Sequence, residues 1–424
     1  MKYSITFYKK NFEDPMTIDE FESLIWTERY NAYGDFEICI PLDNSDISKR
    51  LIEVDENDRS IWMDGYASID DSSNLMFLEQ FKIDYTSEDG MKMIITGRSL
   101  ETILMRRIVW GLKVINGGLQ NAFKSILTDC FINPENPKRK INNFVFLDSE
   151  DERITSMNLT TQFTGDNVYD IISSICQEKN LGFKINVNDN LEFVFSLYLG
   201  EDRSYDQSVN PYVIFSPENE NLLGSDFIES NAFSKNCSLI GGEGEGVERR
   251  YAEIDCDLTG LDRRELFTDA RDISSNCGGF ILLDSEPEDW NENYMYCYIN
   301  IGTEDDPIYD PVESDSAPLW QENTYYIYDG SIVMSEAEYY DTLVQRGKED
   351  LEEYKFVKGF DGEIDPFSIY EFGSDFFIGD IVEISDGIGH ESKTIVLELI
   401  RSIDQNGYLI YPTFLLMEDE DDSN

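Results

Sequence analysis

Along residues 3–97 the apolar positions recur at every second residue in short runs. "YSITFY", "FESLIWTERY", "DFEICIP", "SIWMDGYASID", "LMFLEQFKIDY" and "MKMIITG" are rich in Ile, Phe, Tyr and Trp, and "AYGD" and "SEDG" supply turn chemistry between them. Such runs predict antiparallel strands in a barrel or sandwich. The period then changes. Ser99 is placed to cap a short helix carrying Leu100, Ile103 and Leu104, with Arg106 and Arg107 at the C-terminal end, where cations suit the helix dipole. "IVWGLKVI" follows as an extended segment. In "GGLQNAFKSILTDCF", Leu119, Ala122, Phe123, Ile126, Leu127 and Cys130 make one helical stripe. "GDNVYDIISSICQEKN" repeats the stripe with Val168, Ile171, Ile172, Ile175 and Cys176 behind a capping Asp166. Two strands, "LGFKINV" and "LEFVFSLYL", joined by a turn at Asn188, Asp189 and Asn190, complete a small α+β unit.

Residues 211–258 return to strands: "PYVIFS", "FSKNCSLIGG" and "RRYAEIDCDL". Residues 278–332 are acidic and hold Pro287, Pro307, Pro311 and Pro318, which predicts a surface excursion with a few strands. "SEAEYYDTLVQRGKEDLEEY" predicts a long helix. Ser335 and Glu338 form a capping box, and Tyr340, Leu343, Val344, Gly347, Leu351 and Tyr354 form its apolar stripe. Gly347 on that stripe implies close approach to a neighbour. "FFIGDIVEIS", "KTIVLELIRSID" and "GYLIYPTFLLM" are three closing strands, and "EDEDDSN" is a solvated acidic tail.

The end of the chain echoes its beginning. "IWMDGYASID…LMFLEQFKIDYTSEDGMKMIITG" and "FFIGDIVEIS…KTIVLELIRSIDQNGYLIYPTF" each hold an aromatic strand with a nearby Gly, a loop, a strand carrying "LE", an acidic or polar turn with Gly, and a closing strand. This reads as two related β-barrels with other material between them, although antiparallel meanders share such patterns by default. The expected fold class is therefore α+β and β-rich, with two related β-barrel domains at the chain ends and inserted α+β domains. The expected boundaries are a first barrel over 1–105, an α+β insert over 106–205 and return strands over 206–260. The acidic excursion plus helix follow over 261–360, a second barrel over 361–417 and a disordered acidic tail over 418–424.

Composition narrows the partners. The chain has 424 residues, with 86 acidic against 33 basic side chains and a formal charge of −53. Its length predicts several domains, and its aromatic content argues against disorder. So negative a surface repels nucleic acid and anionic membranes. No apolar run approaches the length needed to cross a bilayer, and "MKYSITFYKK" lacks the apolar region of a signal peptide. Synthesis and assembly in the cytoplasm of a cell are expected. The seven cysteines form no CxxC and read as buried thiols rather than disulfides or a metal site.

Candidate chemistry is sparse. His390 in "GIGHESK" is the single histidine and reads as a turn residue. "GGEGEGVERR" places Glu243 and Glu245 where a phosphate would sit. "DCDLTGLD" resembles a calcium loop but has Leu266 at its twelfth position, so no cofactor or metal is assigned. A hydrolase using a carboxylate pair stays open as an alternative, because such a pair need only meet in space. The arginine doublets Arg106–Arg107, Arg249–Arg250 and Arg263–Arg264 are flanked by acids in the latter two cases. They suit pairing with carboxylates at domain or subunit boundaries, where the guanidinium fork stays charged.

"TGRSLETILMRRIV", "GGEGEGVERR…LTGLDRRELFTDARDI", "YYDTLVQRGKEDLEEY" and "FFIGDIVEIS…GYLIYPTF" together resemble the tail hub proteins of long-tailed phages. In that family the module forms the N-terminal part of tail-associated lysins and is similar to the baseplate hub of contractile phages. The resemblance covers most of the chain. It implies a non-enzymatic virion protein at the tail tip, assembled as a homotrimer that closes the tail tube. A hexameric distal tail ring would lie above it, the tape-measure protein and DNA would pass through its lumen, and receptor-binding proteins would dock below. The resemblance also implies that the doublets Arg106, Arg107, Arg249, Arg250, Arg263 and Arg264 serve assembly. Because the chain stops soon after its last strand, no lysin domain is expected.

Overall fold

The computed structural model describes residues 3–43, 45–70, 72–86, 90–280, 296–300, 309–313, 324–328, 331–333, 336–364, 369–385, 387, 391–405 and 407–416. The expectations for Ser335, His390 and the tail 418–424 lie outside these residues.

A ten-stranded sheet joins the two ends of the chain. Strand Ser23–Arg29 pairs with Asp35–Pro41, then Gly90–Arg98, then Gln80–Thr86 at one edge. On its other side Ser23–Arg29 pairs with Glu391–Asp404, followed by Gly407–Leu416, Val357–Ile364 and Leu222–Ser230 at the far edge. Every pairing along this path is antiparallel. The two end segments, expected as separate barrels, are thus halves of one open sheet, and among the described residues no sheet closes on itself. The reason lies in one long strand. Glu391–Ile395 pairs with Ile381–Ser385, and Glu398–Ile403 pairs with the first half. A bulge between Val396 and Glu398 separates the two stretches.

Alternation supplies the core on one face only. Leu24, Trp26, Phe36, Ile38, Ile40, Met93 and Ile95 point to a second, four-stranded sheet that brings Ile5, Phe7, Ile18 and Ala67 against them. In the second half Phe215, Phe376, Val382, Leu399 and Phe414 form a separate core. The insert between Gly90–Arg98 and Leu222–Ser230 packs two helices, α1 (Leu119–Leu127) and α2 (Val168–Glu178), on the sheet of Phe144–Leu147, Phe193–Tyr198 and Gly182–Val187. The expected stripes of both helices are buried. The start of α2 lies one residue later than expected. Asn167, not Asp166, caps it by accepting from the Tyr169 amide, while Asp166 accepts from the Thr164 amide. Ser99 precedes a 3₁₀ helix, Leu100–Arg106, without a capping hydrogen bond, because its Oγ accepts from the Gly34 amide at 2.8 Å. Leu100, Ile103 and Leu104 share one core with Tyr66, Phe77 and the insert, so the insert is anchored to the first half by apolar contact.

A small unit interrupts the second half. Its central strand Cys237–Gly241 is flanked by Tyr251–Ile254 and Glu265–Asp269 and is covered by α3 (Glu336–Glu352). Gly347 makes the expected close approach: a Cβ there would meet Ile240 Cγ1 at 2.6 Å and Ile254 Cδ1 at 3.0 Å. That contact sets the helix phase, and it buries Tyr339 rather than Tyr340, which is exposed. The excursion contributes Asn276–Phe280, Tyr296–Asn300, Tyr309–Glu313, Thr324–Tyr328 and Ser331–Val333, which form a five-stranded sheet.

Where α3 meets α2, the Gln345 amide donates to both Glu178 and Glu349, at 3.2 and 3.1 Å. Glu349 is buried, and that burial, with Glu178 beside it, pushes its carboxyl up to about 7 from 4.5. The folded state therefore holds this proton more tightly than the unfolded chain does, and stability should fall as pH rises from about 4.5 through about 7. Glu349→Gln removes the titration. In thermal melts the variant should match the parent at pH 5 and melt higher at pH 8; no difference at pH 8 would mean that this carboxyl does not ionise inside the fold.

Candidate functional site

The seam between Ser23–Arg29 and Glu391–Asp404 carries an ion pair on each face. On the inner face Arg401 stands opposite Trp26 and Leu399 opposite Glu28, so the Arg401–Glu28 pair lies between the two cores. Arg401 is 1% exposed and donates to Glu28 Oε1 at 2.7 Å. Glu28 also accepts from Trp26 Nε1 at 3.2 Å, Ser72 Oγ at 2.6 Å and Asn74 Nδ2 at 2.9 Å. The Arg401 guanidinium stacks over Phe372 at 5.0 Å. On the open face Arg29 donates to Glu398 across the seam and to Asp35 at 2.6 Å. A buried carboxylate with this many donors has its lone pairs satisfied, the condition under which a buried ion pair is tolerated and specifies register.

The strand order is the same on both sides of the seam. Taken in chain order within each half, the strands lie in space as first, second, fourth, third. These are Ser23–Arg29, Asp35–Pro41, Gly90–Arg98 and Gln80–Thr86 in one half. In the other they are Leu222–Ser230, Val357–Ile364, Gly407–Leu416 and Glu391–Asp404. The seam joins the third strand of the second half to the first strand of the first half. The corresponding strands left over, Gln80–Thr86 and Leu222–Ser230, are the two edges of the path. Both expose apolar side chains: Ile83 at 55% and Tyr85 at 69% on one edge, Leu223 at 57% and Ile228 at 45% on the other. Ile83 pairs with the buried Met93 and so lies on the core-facing side, where its own chain leaves it half uncovered.

The arginine doublets find mostly local partners. Arg106 is exposed and stacks over Phe77 at 4.4 Å, and Arg107 donates to the Arg139 carbonyl at 3.0 and 2.9 Å. Arg249 pairs with Asp269 at 2.8 Å, Arg250 with Glu243 at 3.4 Å, and Arg263 with Asp255 and with Glu265 at 2.8 Å. Arg264 donates to the Asn231 carbonyl and to Ser234 Oγ at 2.7 Å. Within the chain, Arg106 alone of the six reaches from one unit to another. Arg263 holds the Asp255 carboxyl below its usual range, yet both groups are solvated.

Carboxylates do meet in one cleft of about 520 Å³ between the two halves and the insert. Glu28, Glu101, Glu201 and Asp380 line it, and each is engaged by the protein's own donors, Glu201 by Arg153 and Asn210. Glu101 accepts from the Ile185 amide at 2.7 Å, and burial raises its carboxyl above the usual range. Asp380 accepts from the Glu201 amide at 2.8 Å and from Arg203 Nε at 2.6 Å. Carboxylates occupied in this way hold chain segments together. Among the described residues no group of three or more His, Cys, Asp or Glu is arranged to hold a metal, the "DCDLTGLD" loop included. No described helix is long and apolar enough to cross a membrane.

The fold as a whole is similar to that of solved tail proteins. The 43 kDa tail protein of prophage MuSo2 from Shewanella oneidensis is similar, with a TM-score of 0.53 at 9% identity over 97% of this chain and 98% of that one. A tail protein from Neisseria meningitidis MC58 is similar with a TM-score of 0.52 at 10% identity over 99% and 97%. Among curated proteins none matches the chain. The chain belongs to the Siphovirus ReqiPepy6 Gp37-like protein family, which matches residues 8–414.

Sequence reading singled out the doublets and missed Arg401, Glu28, Arg29 and Glu398. Their sole local signal was a charge inside an apolar strand, "LELIRSID" and "LIWTERY". Glu28→Gln leaves the Arg401 charge buried and is expected to cost about 3–5 kcal/mol. Arg263→Ala should leave the melting temperature unchanged. Denaturant and thermal unfolding of the two variants check this contrast; equal behaviour would remove the seam from its organising role.

Proposed function

We propose that this chain is a structural tail hub at the tail tip, three copies of which join edge to edge in a ring that closes the tail tube. The observation that carries the reading is the repeated strand order. The internal seam already shows how a third strand meets a first strand. The same join between Gln80–Thr86 of one copy and Leu222–Ser230 of the next continues the pattern. Successive strands alternate in direction along the eight-strand path, so its two edges run opposite ways. Copies related by rotation about one axis therefore present antiparallel edges to each other. Each join continues the strand ladder and covers Ile83 and Tyr85.

In this reading each copy supplies two related half-units, and a trimer presents six to a hexameric distal tail ring above. The tape-measure protein and DNA pass through the lumen, and receptor-binding proteins dock below. The work is done without turnover. Arg106, Arg107, Arg249, Arg250, Arg263 and Arg264 serve assembly by holding loops in shape. The open face of the sheet suits a bore. Its Arg29, Lys92 and Arg98 have carboxylate partners at 2.6, 2.8 and 2.7 Å in Asp35, Glu22 and Glu79. Cations neutralised in this way displace few counterions from passing DNA.

Mass photometry and electron microscopy of the purified protein should show three-fold particles, with monomer tolerated where tail partners are needed to close the ring. Ile83→Asp with Tyr85→Asp should abolish the three-fold particle while leaving the monomer's circular dichroism and melting temperature intact, because both side chains are solvated in a lone copy. A stable dimer with no three-fold particle, or unaffected rings in the double variant, would sink the proposal. The protein should also leave duplex DNA unshifted in a gel at about 50 mM salt, where electrostatic binding is strongest; a shifted band there speaks against a bore of this face.

A further inference from the structure

Two thiols in the small unit gather at one spot. Cys237 opens the strand Cys237–Gly241, and the register Ser238 to Ile254 sets it opposite Asp255, with Cys256 next as the chain leaves the sheet. The Cys237 Sγ donates to the Arg264 carbonyl at 3.7 Å, and the Cys256 Sγ donates to Asn236 Oδ1 at 3.6 Å. Asn236 Oδ1 in turn accepts from the Arg264 amide at 2.8 Å, so both sulfurs flank one short bridge between neighbouring strands. Cys256 is near enough to raise the pKa of Cys237. Cys39 belongs to the first half of the large sheet, and Cys130 and Cys176 are buried in the insert's core. Neither group reaches this unit.

We propose that Cys237 and Cys256 are a redox site that closes to a reversible disulfide in an oxidising medium and staples the strand to the loop Asp255–Arg264. The sulfurs differ in access: Cys237 is 1% exposed, whereas Cys256 is half-buried. Cys256 therefore meets the oxidant first. Its thiolate attacks one sulfur of a small-molecule disulfide such as oxidised glutathione; that S–S bond breaks, and one small thiol leaves with a proton. Cys237 then gives up its proton and attacks the Cys256 sulfur, forming the protein disulfide and releasing the second small thiol. Two electrons and two protons pass from the protein dithiol to the oxidant.

Burial and the neighbouring thiol raise the Cys237 pKa, while the Arg263 guanidinium opposes them. This makes the second step slow at neutral pH and faster in mild alkali. Closure restrains a loop that holds Leu258 and Leu261 in solvent, and it limits the freedom of the unfolded chain. The setting rests on the tail reading, since a virion protein leaves a reducing cytosol for an oxidising exterior. The chemistry itself does not depend on that reading.

The purified full-length protein is incubated with oxidised or reduced glutathione, alkylated after denaturation and mapped by mass spectrometry. Oxidised glutathione should give a peptide pair linked through Cys237 and Cys256, lighter by two hydrogens, with the other cysteines alkylated. It should also raise the melting temperature by a few degrees, reversibly with dithiothreitol. Cys256→Ser should keep the parent's reduced melting temperature and lose both the link and the rise, and Cys256→Ala should do the same if the serine variant folds poorly. Alkylation of both thiols after oxidation, a persistent glutathione adduct on Cys256, or a link to another cysteine would overturn the proposal. The ring assay bears on none of these readouts, so failure here and failure of the tail reading are distinguishable.

Discussion

The architecture turns on a single strand pairing, in which Ser23–Arg29 meets Glu391–Asp404. Without it the chain would be two small β units, each with a bare edge. Hydrophobic contact alone fixes the pairing poorly, because apolar residues line both partners and alternative registers bury similar area. The ion pairs remove that freedom. Glu28 with Arg401 inside and Arg29 with Glu398 outside run in opposite senses across the seam. A slip of one residue would turn each strand's inner set outward and strand a charge in the core. Buried charge here serves specificity of pairing more than net stability.

The nested chain order follows from that seam. The first half is finished by residue 98, the insert follows, and the second half opens with Leu222–Ser230 before the small unit intervenes. Its partner strand is reached only at Val357–Ile364. The insert tolerates this order because it shares an apolar core with Tyr66, Phe77 and the 3₁₀ helix instead of hanging from a linker. The small unit keeps its own core around Ile240, Ala252 and Leu343. Long-range closure of this kind is slow to form, which favours early local folding of the insert and small unit before the seam closes.

Local chemistry was legible in the sequence and distant pairing was not. The stripes of α1 and α2 and the close approach at Gly347 follow from periodicity, which acts within a few residues. Apart from the local shift of the α2 cap from Asp166 to Asn167, two errors are of one kind. Ser99 was expected to cap its own helix but is held by Gly34, and Tyr339 rather than Tyr340 is buried because Ile240 and Ile254 set the helix phase. In each case a residue far away in sequence decides. Glu28 and Arg401 are the extreme case, 373 positions apart. The doublets drew attention because adjacent arginines are conspicuous in an acidic chain, yet most of their partners lie in the same small neighbourhood. The internal echo did carry long-range information. It matched Gln80–Thr86 to Glu391–Asp404 and Gly90–Arg98 to Gly407–Leu416, and these strands hold equivalent places in the two halves.

In the proposed ring, charge limits how copies can come together. Each carries a formal charge of −53, so copies repel once they approach within roughly 8–10 Å at physiological salt and are screened from each other beyond it. Electrostatic steering therefore does not drive assembly, and the edges must supply attraction at contact. They carry the two kinds that survive screening. Gln80–Thr86 and Leu222–Ser230 end the path, each with a neighbouring strand on one side only, and Ile83, Tyr85, Leu223 and Ile228 stand exposed beside them. Such an edge would ordinarily invite aggregation. Here the net charge opposes indiscriminate contact, and only a partner presenting the complementary edge in the antiparallel sense gains enough to overcome it. Acidity and exposed edge strands thus act together in that ring: the first opposes wrong association at close approach, and the second rewards the right association at contact.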